Sequence, residues 1–260
     1  MIRRITIALI LLFALSAQPV LAACQPADPP AKTLDAELGA TSDSLTGNRQ
    51  NWDEQYLTLS ARDGTQSEYA SVTDDQRFGL RDTTYEAGTY FSPIPHLNVN
   101  AIASFSPTHL VLPESTFQGG VDLRAAGGYG YQGEYTQRNY SGAVANIASI
   151  GSDRYVRNKH LSALVTLVHL SNVPGLAASA GVVYAQYLRC DDLKFSLSSG
   201  RDVESTGVGA NVALFHMISY DANDLHWITP HLALNVGAGW YLLTGAYDRF
   251  EVRLALHERF

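Results

Sequence analysis

Residues Tyr247 to Phe260, YDRFEVRLALHERF, alternate in chemistry: Phe250, Val252, Leu254, Leu256 and Phe260 share one face, and Arg249, Glu251, Arg253, His257 and Arg259 share the other. Successive side chains of a β-strand point to opposite sides, so this is a strand with an apolar face and a charged face. A period of two held over more than ten residues is what a membrane-spanning strand needs, because its side chains meet lipid and lumen in turn. The preceding stretch repeats the pattern. Leu232, Leu234, Val236, Ala238, Trp240 and Leu242 oppose Asn235, Gly237, Gly239 and Tyr241, and the turn at Thr244-Gly245-Ala246 joins the two strands. A soluble lipocalin-like barrel turns its apolar face inward and has no use for a closing strand of this kind.

The start of the chain points the same way. Met1 to Arg4 carries two positive charges, Ile5 to Ala17 is a largely apolar run, and small residues follow at Ala22 and Ala23, so residues 1–23 read as a secretory signal peptide. The run is too short to span a bilayer as a helix, and no later stretch is long enough without a polar break. Leu21-Ala22-Ala23-Cys24 resembles the lipobox of bacterial lipoproteins, whose cysteine is acylated; ordinary signal-peptidase cleavage is the competing reading for Cys24.

Charged residues make up 17% of the chain, below the roughly 25% of soluble domains, while the chain is not hydrophobic overall. A barrel that alternates lipid-facing and lumen-facing residues averages out in this way. The fourteen tyrosines suit the two membrane interfaces, although any β-protein is rich in tyrosine. A net charge of -7 gives no basis for binding nucleic acid.

Residues 24–51 read as a flexible periplasmic tether, with Pro26, Pro29 and Pro30 and no sustained apolar period. The barrel is expected over residues 52–260. Within it, thirteen strand-like segments follow one another, from Trp52 to Arg62 through to Tyr247 to Phe260. Bacterial barrels have an even number of strands, so one segment is wrong, missing or merged. Chain length favours an all-β antiparallel transmembrane barrel of about 12 strands, within a range of 12–14.

The stretch from about Trp52 to Phe260 resembles the YaiO family of outer membrane β-barrel proteins. The resemblance lies in Trp52 opening a strand, in Arg77 with Asp82, and in Gly200-Arg201-Asp202-Val203-Glu204. It continues with His226-Trp227 and with Tyr247-Asp248-Arg249 running on to Val252, Leu254, Leu256 and Phe260. It implies a twelve-stranded barrel in the outer membrane of a Gram-negative bacterium, with no settled biochemical activity. Some relatives carry N-terminal helical repeats, which have no counterpart here. Val252, Leu254, Leu256 and Phe260 also resemble the signal by which the barrel-assembly machinery selects its clients, with Glu258 as a departure on the same face.

Two classes of function follow. In the first, the chain is a non-enzymatic barrel among outer membrane lipids: a narrow pore, a structural element, or a docking element for surface polysaccharide export. The mixed charges of Arg249, Glu251, Arg253, His257 and Arg259 favour a salt-bridged filling over a wide selective pore. In the second, Val168-His169-Leu170-Ser171-Asn172 is similar to the His-x-Ser-Asn motif of lipid A deacylases, with His169 as general base and Ser171 as nucleophile. Those enzymes are shorter and carry the motif near the C-terminus, and no acidic third member is evident, so rim residues at a turn are the simpler reading. The eight histidines show no metal-ligand spacing. Asp191-Asp192 and the stretch Asp221 to Asp224 offer carboxylates to a divalent ion but read more simply as solvated turns. Gly127-Gly128-Tyr129-Gly130 opens no helix that would cradle phosphate, and no cofactor is expected. A real strand at Leu193 to Ser199 puts Cys190 in a periplasmic turn within reach of Cys24; without that strand Cys190 is extracellular.

Overall fold

The computed structural model describes residues 32–47, 49–205 and 212–260. It contains fourteen strands: β1 (Lys32–Leu45), β2 (Trp52–Asp63), β3 (Gln66–Arg77), β4 (Leu80–Ile94), β5 (Leu97–Phe105), β6 (Ser115–Arg124), β7 (Tyr129–Tyr140), β8 (Ala143–Val156), β9 (Lys159–Leu170), β10 (Ala177–Tyr187), β11 (Asp191–Ser205), β12 (Val212–Trp227), β13 (Leu232–Leu243) and β14 (Tyr247–Arg259). Each pairs antiparallel with its neighbours in the chain, and β1 pairs with β14 to close the barrel. Closure satisfies every strand edge, which the interior of a bilayer demands. No helix among the described residues is long and apolar enough to cross a membrane.

Fourteen strands is the upper end of the range expected from the sequence, and the even count has a simple origin. The thirteen segments from Trp52 onward correspond to β2 through β14, and the missing partner is β1, which occupies Lys32–Leu45. The barrel therefore begins near Lys32, and residues 32–45 are not tether. The alternation of β1 is faint because its lipid-side positions after Leu34 and Leu38 are filled by Ala36, Ala40, Ser42 and Ser44. Its lumen side carries Asp35, Glu37, Thr41 and Asp43, which resembles a polar linker until the partner strand is known. Residues 1–23, expected to be a signal peptide, and Cys24 lie outside the described residues, as do residues 206–211 of the expected Thr206 to Ile218 segment.

Lys32 and Phe260 lie at the same end of the barrel. The turns there are short, such as Pro95-His96 between β4 and β5, whereas the turns at the other end reach nine residues between β5 and β6. Short periplasmic turns with longer external loops are usual for such barrels, so the end that holds Lys32 and Phe260 is the periplasmic one. Because β11 is a full strand, Cys190 falls in the periplasmic turn between β10 and β11.

The outer surface is apolar around the circumference. Leu38, Leu59, Phe117, Ile150, Leu161, Val182, Trp240 and Leu254 are all exposed, Ile150 at 70%. So large an exposed apolar surface is unstable in water and stable in lipid. Polar side chains alternate inward, with space left by small residues: Gly39 on β1 admits the ring of Tyr56 from β2, which any Cβ at that position would strike.

Candidate functional site: the lumen

The two halves of the lumen differ. Along β12, β13, β14, β1, β2 and β3 it is filled from end to end by paired charges and aromatic rings. At the periplasmic end Arg259 Nε donates to Asp35 at 3.0 Å, and His257 lies 3.3 Å from both Asp35 and Glu37. Trp227 packs under this group, with the Arg259 guanidinium 4.5 Å from its ring centre. At mid-height Arg253 bonds Glu251 and reaches Asp221 at 3.4 Å, while Tyr56 donates to Glu37 at 2.8 Å. Alternation puts these residues on one face, and register brings them together across strands.

The external end is the most heavily built. Trp52, 2% exposed, meets Phe78 and Tyr247 edge-on at 5.2 and 5.6 Å. The guanidinium of Arg77 lies 4.7 Å from its ring centre and that of Arg249 lies 5.3 Å away. Arg249 also stacks on Tyr241 at 3.9 Å. Such cation–π contacts are worth about 2 kcal/mol each when desolvated. Arg77 makes a two-pronged pair with buried Asp75, its Nε and Nη2 each 2.8 Å from a carboxylate oxygen. Asp43, Glu54, Asp75, Arg77, Arg249 and Trp52 surround a small cavity of about 190 Å³.

Glu204 joins this group from another part of the wall. Its carboxylate lies 3.9 Å from Arg77 and 4.0 Å from Arg249. The described ends of β11 and β12 lean inward to bring it there. Gly200 has φ +146°, and a Cβ at that position would collide with Ser179 and with the Ala178 carbonyl. Beyond this bend Val203 and Val212 are buried against Ala145, Val168, Leu170 and Ala177, an apolar patch contributed by β8, β9 and β10. The hairpin arms are thus held by apolar packing on one side and by charge on the other.

A second tie holds the loop between β5 and β6. Asp82 is fully buried and accepts the backbone N–H groups of Leu110, Val111 and Leu112 at 2.9, 2.7 and 2.9 Å. Those residues cover the stretch of β4 that extends beyond its pairing with β5, which starts at Tyr85.

The opposite half, along β4 to β8, is open. A cavity of about 590 Å³ lies there, lined among others by Tyr90, Asn98, Asn100, Asp122, Gln132 and Glu134. Arg124 spans Asp122 at 2.9 Å and Asp153 at 2.6 Å, and His160 lies 3.0 Å from Asp153. Glu86 accepts from the hydroxyl of Tyr69 and Glu134 from the amide of Gln118; neither lies within 4.0 Å of a Lys or Arg among the described residues.

The combination of closure, outward apolar belt and polar interior decides the fold. It is an outer membrane β-barrel. Solved structures agree: the chain is similar to the translocator domain of the autotransporter NalP from Neisseria meningitidis, at 10% identity and TM-score 0.52 over 88% of each chain. It is also similar to the CymD monoaromatic hydrocarbon channel, at 6% identity and TM-score 0.58 over 88% of each chain. A bacterial polysaccharide outer membrane secretin matches at 7% identity and TM-score 0.53, covering 87% of this chain and 98% of that one. No family model matches the chain, and no curated protein matches it.

Within this outer membrane barrel, Trp52, Arg77, Glu204, Tyr247 and Arg249, widely separated in sequence, meet at the external end. Asp82 lies beside them in register with Asp75 but serves its loop. Trp227 belongs to the periplasmic group, while His226 bonds Asp191 at 2.6 Å; their ligand atoms and one from Asp224 lie within 4.8 Å of one another. Sequence reasoning passed over Asp43, Asp75, Glu86 and Glu134. Their signal is only their phase in the alternation, which becomes informative once lumen and lipid faces are assigned.

His169 and Ser171 sit at the external end of β9 and in the turn after it. His169 Nδ1 donates to the Gly175 carbonyl at 3.3 Å, and Ser171 Oγ accepts the Val144 N–H at 2.8 Å. Val252, Leu254, Leu256 and Phe260 face outward, Phe260 at 63% exposure, and the Phe260 N–H donates to Leu34 of β1 at 2.8 Å.

Proposed function

We propose that the chain is a non-enzymatic barrel that forms a narrow pore through the outer membrane. The observation that carries this reading is the half-filled lumen, packed along one wall and hollow along the other. A side-chain-filled barrel needs no such cavity, and a barrel of this strand number has room for a restricted aqueous path beside a packed wall. The packing keeps that path narrow, and the inward-leaning arms with Glu204 narrow it further at the external mouth.

Membership of the YaiO family is part of this reading and rests on the order of its quoted residues. A role in the envelope, including one linked to surface polysaccharide, has only the fold likeness to a polysaccharide secretin behind it. Outer membrane lipids surround the belt, and the assembly machinery would recognise Val252, Leu254, Leu256 and Phe260. The acyl-hydrolase reading is the weaker one, because the Ser171 hydroxyl is engaged by the Val144 amide and His169 by a carbonyl.

The test is reconstitution of purified protein into planar bilayers. Small, steady current steps support the pore. A silent membrane containing demonstrably folded protein leaves the structural version.

A further inference from the structure

We infer that the path through the barrel prefers cations, and that Glu86 and Glu134 set this preference. The inference rests on the pore reading above and adds to it the class of solute that passes.

The packed wall is acid-rich, and most of its carboxylates are met by arginines: Asp75 by Arg77, Glu251 and Asp221 by Arg253, Asp35 by Arg259; Glu37 is met by His257, and Glu54 lies within 4.0 Å of no Lys or Arg among the described residues. The paired charges offset one another where they stand. In the open half, Arg124 is shared between two aspartates. Glu86 on β4 and Glu134 on β7 are held by neutral donors alone, the Tyr69 hydroxyl at 2.8 Å and the Gln118 amide at 2.9 Å. Neutral donors orient a carboxylate without removing its charge. Both residues sit near the middle of their strands on the lumen side, and Tyr90, itself 44% exposed to the cavity, stands close to both.

The hollow side of the barrel therefore carries two mid-height carboxylates with no ion pair among the described residues inside low-dielectric walls, while Arg62, the arginine that lines the same cavity, stands at the periplasmic end of β2. A narrow passage of this kind concentrates counter-ions and repels co-ions, which is how rings of acidic side chains select cations. Glu134 lines the cavity and Glu86 stands beside Tyr90, which lines it too, so ions that use this half pass close to both. The solute class is small inorganic cations and compact organic ammonium ions.

The experiment is the reversal potential of the full-length protein in planar bilayers under a potassium chloride gradient. Wild type should favour potassium over chloride by about threefold or more. Glu86→Gln with Glu134→Gln should bring the ratio close to unity while current steps persist, with each single substitution falling between. Glu258→Gln, on the lipid face, should leave the ratio unchanged and controls for handling. Loss of heat-modifiable migration identifies a variant that has not assembled, and the single substitutions then carry the test. A wild-type current without ion preference, with chloride preference, or with a preference that survives the double substitution overturns the inference and leaves the pore. Absence of any current from assembled protein overturns the pore reading itself, and the cation path with it.

Discussion

The carboxylate of Glu204, on β11, lies 3.9 Å from Nη1 of Arg77, on β3, although five strands of the wall separate β11 from β3. A side chain that rises straight from its own strand would not meet a residue so far around the barrel. The contact is made because the arm beyond Gly200 bends into the lumen. Glu204→Ala removes the charged tie on one side of the arms, and their apolar packing remains. Single-channel conductance should rise by about twofold, because the external mouth is where the path is narrowest. An unchanged conductance would show that the narrowest point is elsewhere.

Asp82 concentrates three charge-assisted hydrogen bonds on one loop. Asp82→Ala leaves three backbone donors to find water and should destabilise the barrel by about 2–4 kcal/mol, within the range for losing buried charged hydrogen bonds. Limited proteolysis between residues 106 and 114, and urea titration of folding into lipid vesicles, measure the local and global parts. Intact resistance to protease in the variant would mean that Val111, 1% exposed, holds the loop by packing alone.

Phe260 follows the last strand residue and is mostly exposed. It contributes little to the closed barrel, so Phe260→Ala should lower the amount of assembled protein in cells by severalfold while barely changing the unfolding midpoint of protein refolded in vitro. Equal losses in both measurements would make Phe260 a packing residue and remove the case for recognition.

His169→Ala and Ser171→Ala should leave the acyl-chain composition of membrane lipids as it is, measured by mass spectrometry of lipids incubated with purified protein. Ser171→Ala should cost about 1 kcal/mol of stability through the lost bond to the Val144 amide. Release of an acyl chain that depends on both residues would restore the hydrolase reading.

Cys190 sits at the periplasmic end, the end at which β1 begins with Lys32. Seven residues separate Cys24 from Lys32, and an extended chain of eight steps reaches roughly 26–29 Å, comparable to the width of a barrel of this size. Intact mass of the purified protein before and after reduction separates a lipid on Cys24 from a bridge between Cys24 and Cys190, which exclude each other, and from a Cys24 that carries neither. A mass shift of two hydrogens on reduction marks the bridge.

The outer face was legible in the sequence because lipid enforces a strict code: β13 and β14 put apolar residues at nearly every lipid position, Glu258 being a departure, and periodicity alone reads them. The first strand was not, since Ala36, Ala40, Ser42 and Ser44 satisfy the same geometry without the same hydrophobicity. The charged filling of the lumen was half legible. The sign mixture of β14 announced a salt-bridged wall, but its partners Asp35, Asp43 and Asp221 are chosen by register, which no single strand encodes. The bend at Gly200 was hidden for a further reason: its purpose is the meeting of Glu204 with Arg77, a contact between strands that never touch in the sheet.

The seam between β1 and β14 ties Asp35 to Arg259 across 224 residues of chain. Without β14, β1 has one partner and one bare edge. Ring closure therefore joins residues at almost the largest separation the chain offers, which is the costliest contact in loop entropy. Asp35, Glu37, His257 and Arg259, aligned along that seam, act as its clasp: they choose the register in which the ring shuts, and a slip of two residues would set Asp35 opposite His257 and leave Arg259 without its partner.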